Sequence, residues 1–291
     1  MHIPEGLTLR TAYWQDKKAK AAFNRLMITL FNLDFSQWDT AGYWDDRFVP
    51  FSLFKADTVL ASVCLYMLNA VVHGRHTRLA QISSVGTLPA WRRRGLARML
   101  NDYALTWARD RQEWVFLFAD PEAVPFYETC GFTPIKEYVE ILSVPDVTPR
   151  KGIIRLDPAV PREREKIYHY AQCRAPLSRI FSVLNANLLM FHTLYWLKNC
   201  AYEIPDLDCL VFYKRLEGCV KIYDVLAENI PDLKALYAYI ASPEDQRIEC
   251  RFHTDKLYAG KRKLKLLQDN LPFVHGPFPF KQPVFPYTSL A

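Results

Sequence analysis

Apolar residues along the chain follow two spacings. Residues 17–31 set Phe23, Leu26, Met27, Leu30 and Phe31 three or four apart, the period of a helix with one buried face. Leu96, Met99, Leu100, Tyr103 and Trp107 repeat that period in a second helix reaching about Asp110. Strands are predicted for Leu7 to Trp14, for the partly alternating run from Val59 to Leu68, and for Thr77 to Thr87 after a turn at His73-Gly74-Arg75-His76. The continuous apolar run Trp114 to Ala119 reads as a central strand. Pro121 suits the first turn of a short helix and Gly131 its stop. The segment 34–47 is acidic and aromatic, and the order of elements is read as β-α-α-β-β-β-α-β-α-β.

The polar, proline-bearing stretch Val144 to Gly152 is the expected boundary, giving domains at 1–146 and 152–291. Beyond it, helices are predicted for Arg162 to Cys173, around Leu184 to Trp196, and near Pro231 to Ile240. Strands are predicted for Leu210 to Lys214, Val220 to Leu226 and Arg247 to Phe252. The strand-strand-helix-strand order echoes the first half. The Pro- and Phe-rich tail from Pro272 is expected to be extended and packed on a surface.

At 291 residues, half of them hydrophobic and 14% aromatic, the chain can bury two cores. A net charge of +6 permits an anionic ligand without demanding nucleic acid. No apolar run suits a membrane span and the first residues lack a signal-peptide pattern. The seven scattered cysteines include no C-x-x-C pair, which reads as reduced thiols in a cytoplasmic protein. The histidines are dispersed, and His73 and His76 read as a solvated hairpin end, so no metal site is expected.

The chemistry lies in Leu88-Pro89-Ala90-Trp91-Arg92-Arg93-Arg94-Gly95-Leu96-Ala97, between a strand and a helix start. A helix N-terminus offers unbonded amides and partial positive charge. Gly95 removes a Cβ, and three arginines add forked donors. Cations at a helix N-terminus oppose the dipole, so three in a row imply an anion, and a pyrophosphate fits such a cradle.

The pattern Arg92-x-x-Gly95-x-Ala97 resembles the acetyl-CoA-binding signature [QR]-x-x-G-x-[GA] of the GNAT superfamily of N-acetyltransferases. About thirty residues on, Phe126-Tyr127-Glu128-Thr129-Cys130-Gly131-Phe132 resembles the family's later F-Y-x-x-x-G-F segment. The resemblance covers roughly residues 5–145. It implies a mixed α/β fold that binds acyl-CoA, followed by a smaller α+β domain, either a degenerate GNAT-like repeat or an unrelated cap. It implies acetyl-CoA as cosubstrate, with Val85, Gly86 and Thr87 along the pantetheine arm. The amides around Arg92, Arg93, Arg94, Gly95, Leu96, Ala97 and Arg98 would take the phosphates. Tyr127 would protonate the departing sulfur.

The base is not legible. Ser83 and Ser84 hold strand positions where the family often has a carboxylate. Asp39, Asp45, Asp46, Glu137 and Glu140 lie in segments that could line an acceptor groove, though each reads more simply as a surface acid. Some two-domain relatives place a terminal carboxylate in the cleft, a role open to Ala291. Trp38, Tyr43 and Trp44 could stack on an acceptor or pack in the core.

The expected activity is acetyl transfer from acetyl-CoA to a primary amine, on a small molecule or a protein. The segment 34–47 points to a small cationic or aromatic amine. Nucleic acid and membrane partners are not expected. A non-catalytic acyl-CoA-binding regulator and an aminoacyl-type transferase built from tandem GNAT-like folds stay open. The second half's matching turn, Ala227 to Asp232, has two acids and no glycine or arginine, so it is expected to shape the acceptor cleft or a dimer surface instead of binding CoA.

Overall fold

The structure is a computed structural model that describes residues 3–112, 114–268 and 270–291. Strand β1 (Thr8–Thr11) leads into α1 (Lys17–Phe31), whose N-cap Asp16 accepts a bond from the Ala19 amide at 3.0 Å. After α2 (Ser36–Thr40) come β2 (Phe48–Lys55), β3 (Thr58–Val72) and β4 (Arg75–Thr87), an antiparallel meander. The chain crosses through α3 (Leu96–Ala108) to β5 (Trp114–Phe118), parallel to β4. Then follow α4 (Val124–Thr129), β6 (Phe132–Pro134) and β7 (Tyr138–Leu142).

The second half contains β8 (Ile154–Arg155), α5 (Pro161–Cys173), β9 (Phe181–Val183), α6 (Ala186–Tyr195), β10 (Ala201–Ile204), β11 (Cys209–Leu216), β12 (Cys219–Leu226), α7 (Leu233–Ile240), β13 (Arg247–Cys250), β14 (Lys263–Leu266) and β15 (Pro272–His275). Most expected elements are present within a few residues of their expected ends.

The two sheets exchange strands across the expected boundary. The first sheet runs β1-β2-β3-β4-β5-β15-β6, with β9 on the far part of β3, and the second runs β14-β7-β13-β12-β11-β10-β8. Thus β7, from the first half, pairs with β13, and β15, from the tail, pairs with β5 on one side and β6 on the other. The tail is not a surface strap, because Phe273, Val274, Val284 and Phe285 are buried. Its strand is four residues long and starts on proline, too short for a visible period.

Alternation along β2 divides the core. Val49, Phe51 and Leu53 meet Leu96, Leu100, Ala104 and Ala108 of α3. Phe48 and Phe54 face the other way, into a layer built by α1, α2 and, from the second half, α6. The first sheet is therefore covered by helices on both faces, and one cover comes from the other half of the chain.

The second half repeats the β-β-α-β order with β12 parallel to β13, as β4 is to β5. Here the gap past Ile222 is plugged. Arg174 binds Asp224 at 2.6 Å and donates to the Val183 carbonyl at 2.5 Å. The Thr288 hydroxyl donates to the same Asp224 carboxylate, and the Tyr287 amide donates to the Arg251 carbonyl at 3.1 Å. A void of about 10 Å³ remains. A charge at 4% exposure is stable only while it is paired. Asp224→Ala is expected to cost about 3–5 kcal/mol of stability, as breaking a buried ion pair does. Equilibrium denaturation showing a loss below about 1 kcal/mol would contradict that account of the plug.

Candidate active site

The site begins with a register change. Cys64 pairs with Ser83 and Ser62 with Gly86, so Ser84 and Val85 together oppose Val63. Ser84 takes a positive φ of 51° to make this bulge. A bulge bends its strand and increases local twist. On the other edge, β4 pairs with β5 only from Leu79↔Trp114 to Ile82↔Leu117. Beyond Ile82 the two strands part, and Ser83 to Thr87 run along an opening inside the sheet.

The strand then enters the arginine-rich turn. Arg93 and Gly95 both have positive φ, 58° and 76°. A Cβ at Gly95 would meet nothing within 4 Å, so the turn faces open space. Helix α3 starts at Leu96 with no side-chain cap and no acid in its first turn, which leaves its first amides free for an anion. The arginines divide their work. Arg92 donates through Nε to the Thr87 carbonyl at 3.1 Å, and Arg94 donates to the Ala90 carbonyl at 3.2 Å while lying 4.7 Å from the centre of the Trp91 ring. These two brace the turn. Arg93 is exposed, and Arg98 forms an exposed pair with Asp102 at 3.4 Å. The Leu96 side chain is in the core, so only its amide can face a ligand.

A cavity of about 420 Å³ occupies the opening. Of the expected residues, Val85, Gly86, Thr87, Ala97 and Tyr127 line it, with Ser83 and Ser84 beside them. The hydroxyls of Ser83 and Thr87 are buried without a partner among the described residues. The remaining wall is aromatic and apolar: Phe31, Phe35, Trp38, Phe48, Tyr66, Leu188 and Phe191. Gly86 lets α1 close on this wall, since a Cβ there would lie 2.5 Å from Leu30 Cδ1.

Tyr127, on α4, is 6% exposed, with ring centres of Phe126 at 5.1 Å and Phe132 at 6.0 Å. Burial, with Asp120 and Cys130 nearby, pushes its phenol well above the ordinary value of 10, so it is a neutral donor at pH 7.

Most of the acids weighed from sequence are engaged elsewhere. Asp39 pairs with Lys20 and Asp45 accepts from Asn187 at 2.8 Å. Glu137 accepts from Asn270 at 2.7 Å. Burial alone would raise Glu140, but bonds from His253 and Thr254 hold it below the ordinary value. None of these, nor Asp46, lines the cavity, where Asp120 is the one acidic side chain among the described residues. Tyr43 and Trp44 are core residues, whereas Trp38 reaches the wall.

Residues 9–132 match the model of the Acetyltransferase (GNAT) family. This part of the chain is a GNAT acetyltransferase domain. No curated protein sequence matches the chain. In fold, the chain is similar to a probable N-acyltransferase from Enterococcus faecalis V583, with TM-score 0.60 and 16% identity over 92% of this chain and 71% of that one. It is also similar to a GCN5-related N-acetyltransferase from Kribbella flavida, with TM-score 0.54 and 16% identity over the same shares. A putative acetyltransferase from Pyrococcus horikoshii gives TM-score 0.50 and 14% identity over 100% of this chain and 96% of that one. The likeness is one of fold and extends over both halves.

The GNAT domain's cavity is completed from outside it. Leu188 and Phe191 come from α6, and Ala291 from the tail. Buried Gln81, on the last paired stretch of β4, clamps Ala291: its Oε1 accepts from the Ala291 amide at 2.7 Å and its Nε2 donates to the Ala291 carbonyl at 2.8 Å. One residue earlier, the Leu290 carbonyl accepts from His192 Nε2 at 2.6 Å. The helix period marked Leu188 and Phe191 as buried positions, but nothing local tied them or Gln81 to the site, because the residues they meet there lie a hundred or more positions away.

Burial pushes His192 down to about 4. The unfolded chain takes up this proton near the ordinary value of 6.5, while the folded chain resists until about 4. Stability is therefore expected to fall as pH drops through that window. Melting temperatures measured from pH 7 to 4 should fall less steeply in His192→Gln than in the parent. Equal slopes would contradict a neutral, buried His192.

Proposed function

We propose that this protein is an N-acyltransferase that moves an acetyl group from acetyl-CoA to a primary amine. The observation that carries this reading is the cavity itself. One opening brings together the stretch of β4 that has parted from β5, the start of α3 and the Tyr127 side chain. The pantetheine arm would lie along Val85 to Thr87. The pyrophosphate would sit on the amides of residues 93–98, with Arg93 the freest cation.

The amine nitrogen attacks the thioester carbonyl carbon and the C–S bond breaks. Tyr127 gives its proton to the leaving sulfur, and the proton shed by the amine restores the phenol. An uncharged phenol beside a departing thiolate can donate without first being ionised or neutralised. Apolar walls favour the neutral, nucleophilic amine, since burial disfavours an ammonium. Asp120 is an acid on this wall.

Two outcomes follow. Tyr127→Phe keeps the ring packing and removes the proton, so kcat should fall by about 10–1,000-fold with little change in the acetyl-CoA Kd. Full kcat in that variant, with chemistry rate-limiting, would remove Tyr127 from the mechanism. Arg93→Glu combined with Arg94→Glu should weaken acetyl-CoA binding by about 2 kcal/mol or more, roughly thirtyfold in Kd. Unchanged affinity by calorimetry would move the phosphates elsewhere.

A further inference from the structure

The far wall of the cavity decides what can stand beside the thioester. It is a set of rings from two parts of the chain. Phe35 and Trp38, at the start of the GNAT domain, meet Phe191 of α6 at ring-centre distances of 5.5 and 5.7 Å. Phe48 stacks on Phe35 at 5.8 Å, and Leu188 completes this side. The apolar surface continues outward, for Phe31 lines the cavity while 44% exposed, and Ile28, one turn away, is 42% exposed.

Charge is sparse on this wall. No lysine or arginine is among the described residues lining the cavity, and its acidic side chain, Asp120, belongs to the loop before Tyr127. The acids of segment 34–47 are turned to other work. Asp34 accepts from Asn24 and Ser36, Asp39 pairs with Lys20, and Asp45 accepts from Asn187. Of the two acceptor chemistries that segment suggested, the structure keeps the rings and removes the carboxylates.

We infer that the acceptor is an arylalkylamine: a primary amine on a short chain ending in an aromatic ring. This inference rests on the acyl-transfer reading above. An apolar cavity of about 150 Å³ holds a benzene ring, so about 420 Å³ admits an aryl group, its chain and the acetyl thioester end. Tilted and edge-on rings are the arrangement that a further aromatic ring extends favourably. A polyamine would bury extra ammonium groups here against a single acidic side chain, Asp120, among the described lining residues, which is costly. Phe191 and Leu188 then set specificity, which gives the second half a role in choosing the acceptor.

The test follows thiol release from acetyl-CoA by the full chain, with 2-phenylethylamine, tryptamine, spermidine and Nα-acetyl-lysine. The arylalkylamines should exceed spermidine and the lysine derivative by about a hundredfold or more in kcat/KM. Phe191→Ala should raise the KM for 2-phenylethylamine by about tenfold while leaving the KM for acetyl-CoA unchanged. Should that variant misfold, Phe191→Leu should show the same pattern at a few-fold. Turnover of spermidine or the lysine derivative with the arylalkylamines inert would overturn this inference and leave acyl transfer standing. Binding of acetyl-CoA without thiol release from any amine would overturn both.

Discussion

The separation of β4 from β5 after Ile82 is the constraint on which the rest of the molecule depends. A sheet interior normally has no room for a ligand, because every strand edge is paired. Here the bulge at Ser84 and Val85 redirects β4 just as its parallel pairing ends. Main-chain groups of Ser83 to Thr87 are left beside a cavity inside the fold. Such an opening must be covered, or it would expose apolar walls and unpaired polar groups to water. α1, α6 and the tail supply the cover.

The second half makes the same opening and closes it differently. β12 runs past its parallel partner β13, but Arg174, Asp224 and Thr288 fill the space. The tail that plugs this gap at Thr288 goes on to reach the first cavity at Ala291, three residues later, with His192 and Gln81 holding it on the way. One short segment thus blocks one opening and walls the other. The strand exchange of β7 and β15 ties the halves in the same way, so neither sheet is complete without residues from both.

What the sequence revealed was local. Arg92-x-x-Gly95-x-Ala97 and Phe126-Tyr127 are contiguous, and their chemistry follows from a strand-to-helix turn and a short helix. Helices and strands with a clear period were legible for the same reason. The acceptor wall was not, because Phe35 and Phe191 meet only when α2 and α6 pack on one sheet. Gln81 and Ala291 are 210 residues apart and join through a side-chain amide that carries no pattern. Arg92 and Arg94 show the opposite limit: their charge pointed to an anion, whereas their bonds to Thr87 and Ala90 shape the turn that would hold it. The acids Glu137 and Glu140 looked available only because their partners, Asn270 and His253, are distant in sequence.

The central claim is that acetyl-CoA enters the opening between β4 and β5. Amide hydrogen exchange of the full chain, with and without saturating acetyl-CoA, addresses it most directly. Slowed exchange should concentrate in residues 83–98 and around Tyr127, with the plugged gap beside β12 unchanged. Protection confined to the second sheet, or none while acetyl-CoA is bound, would contradict the account.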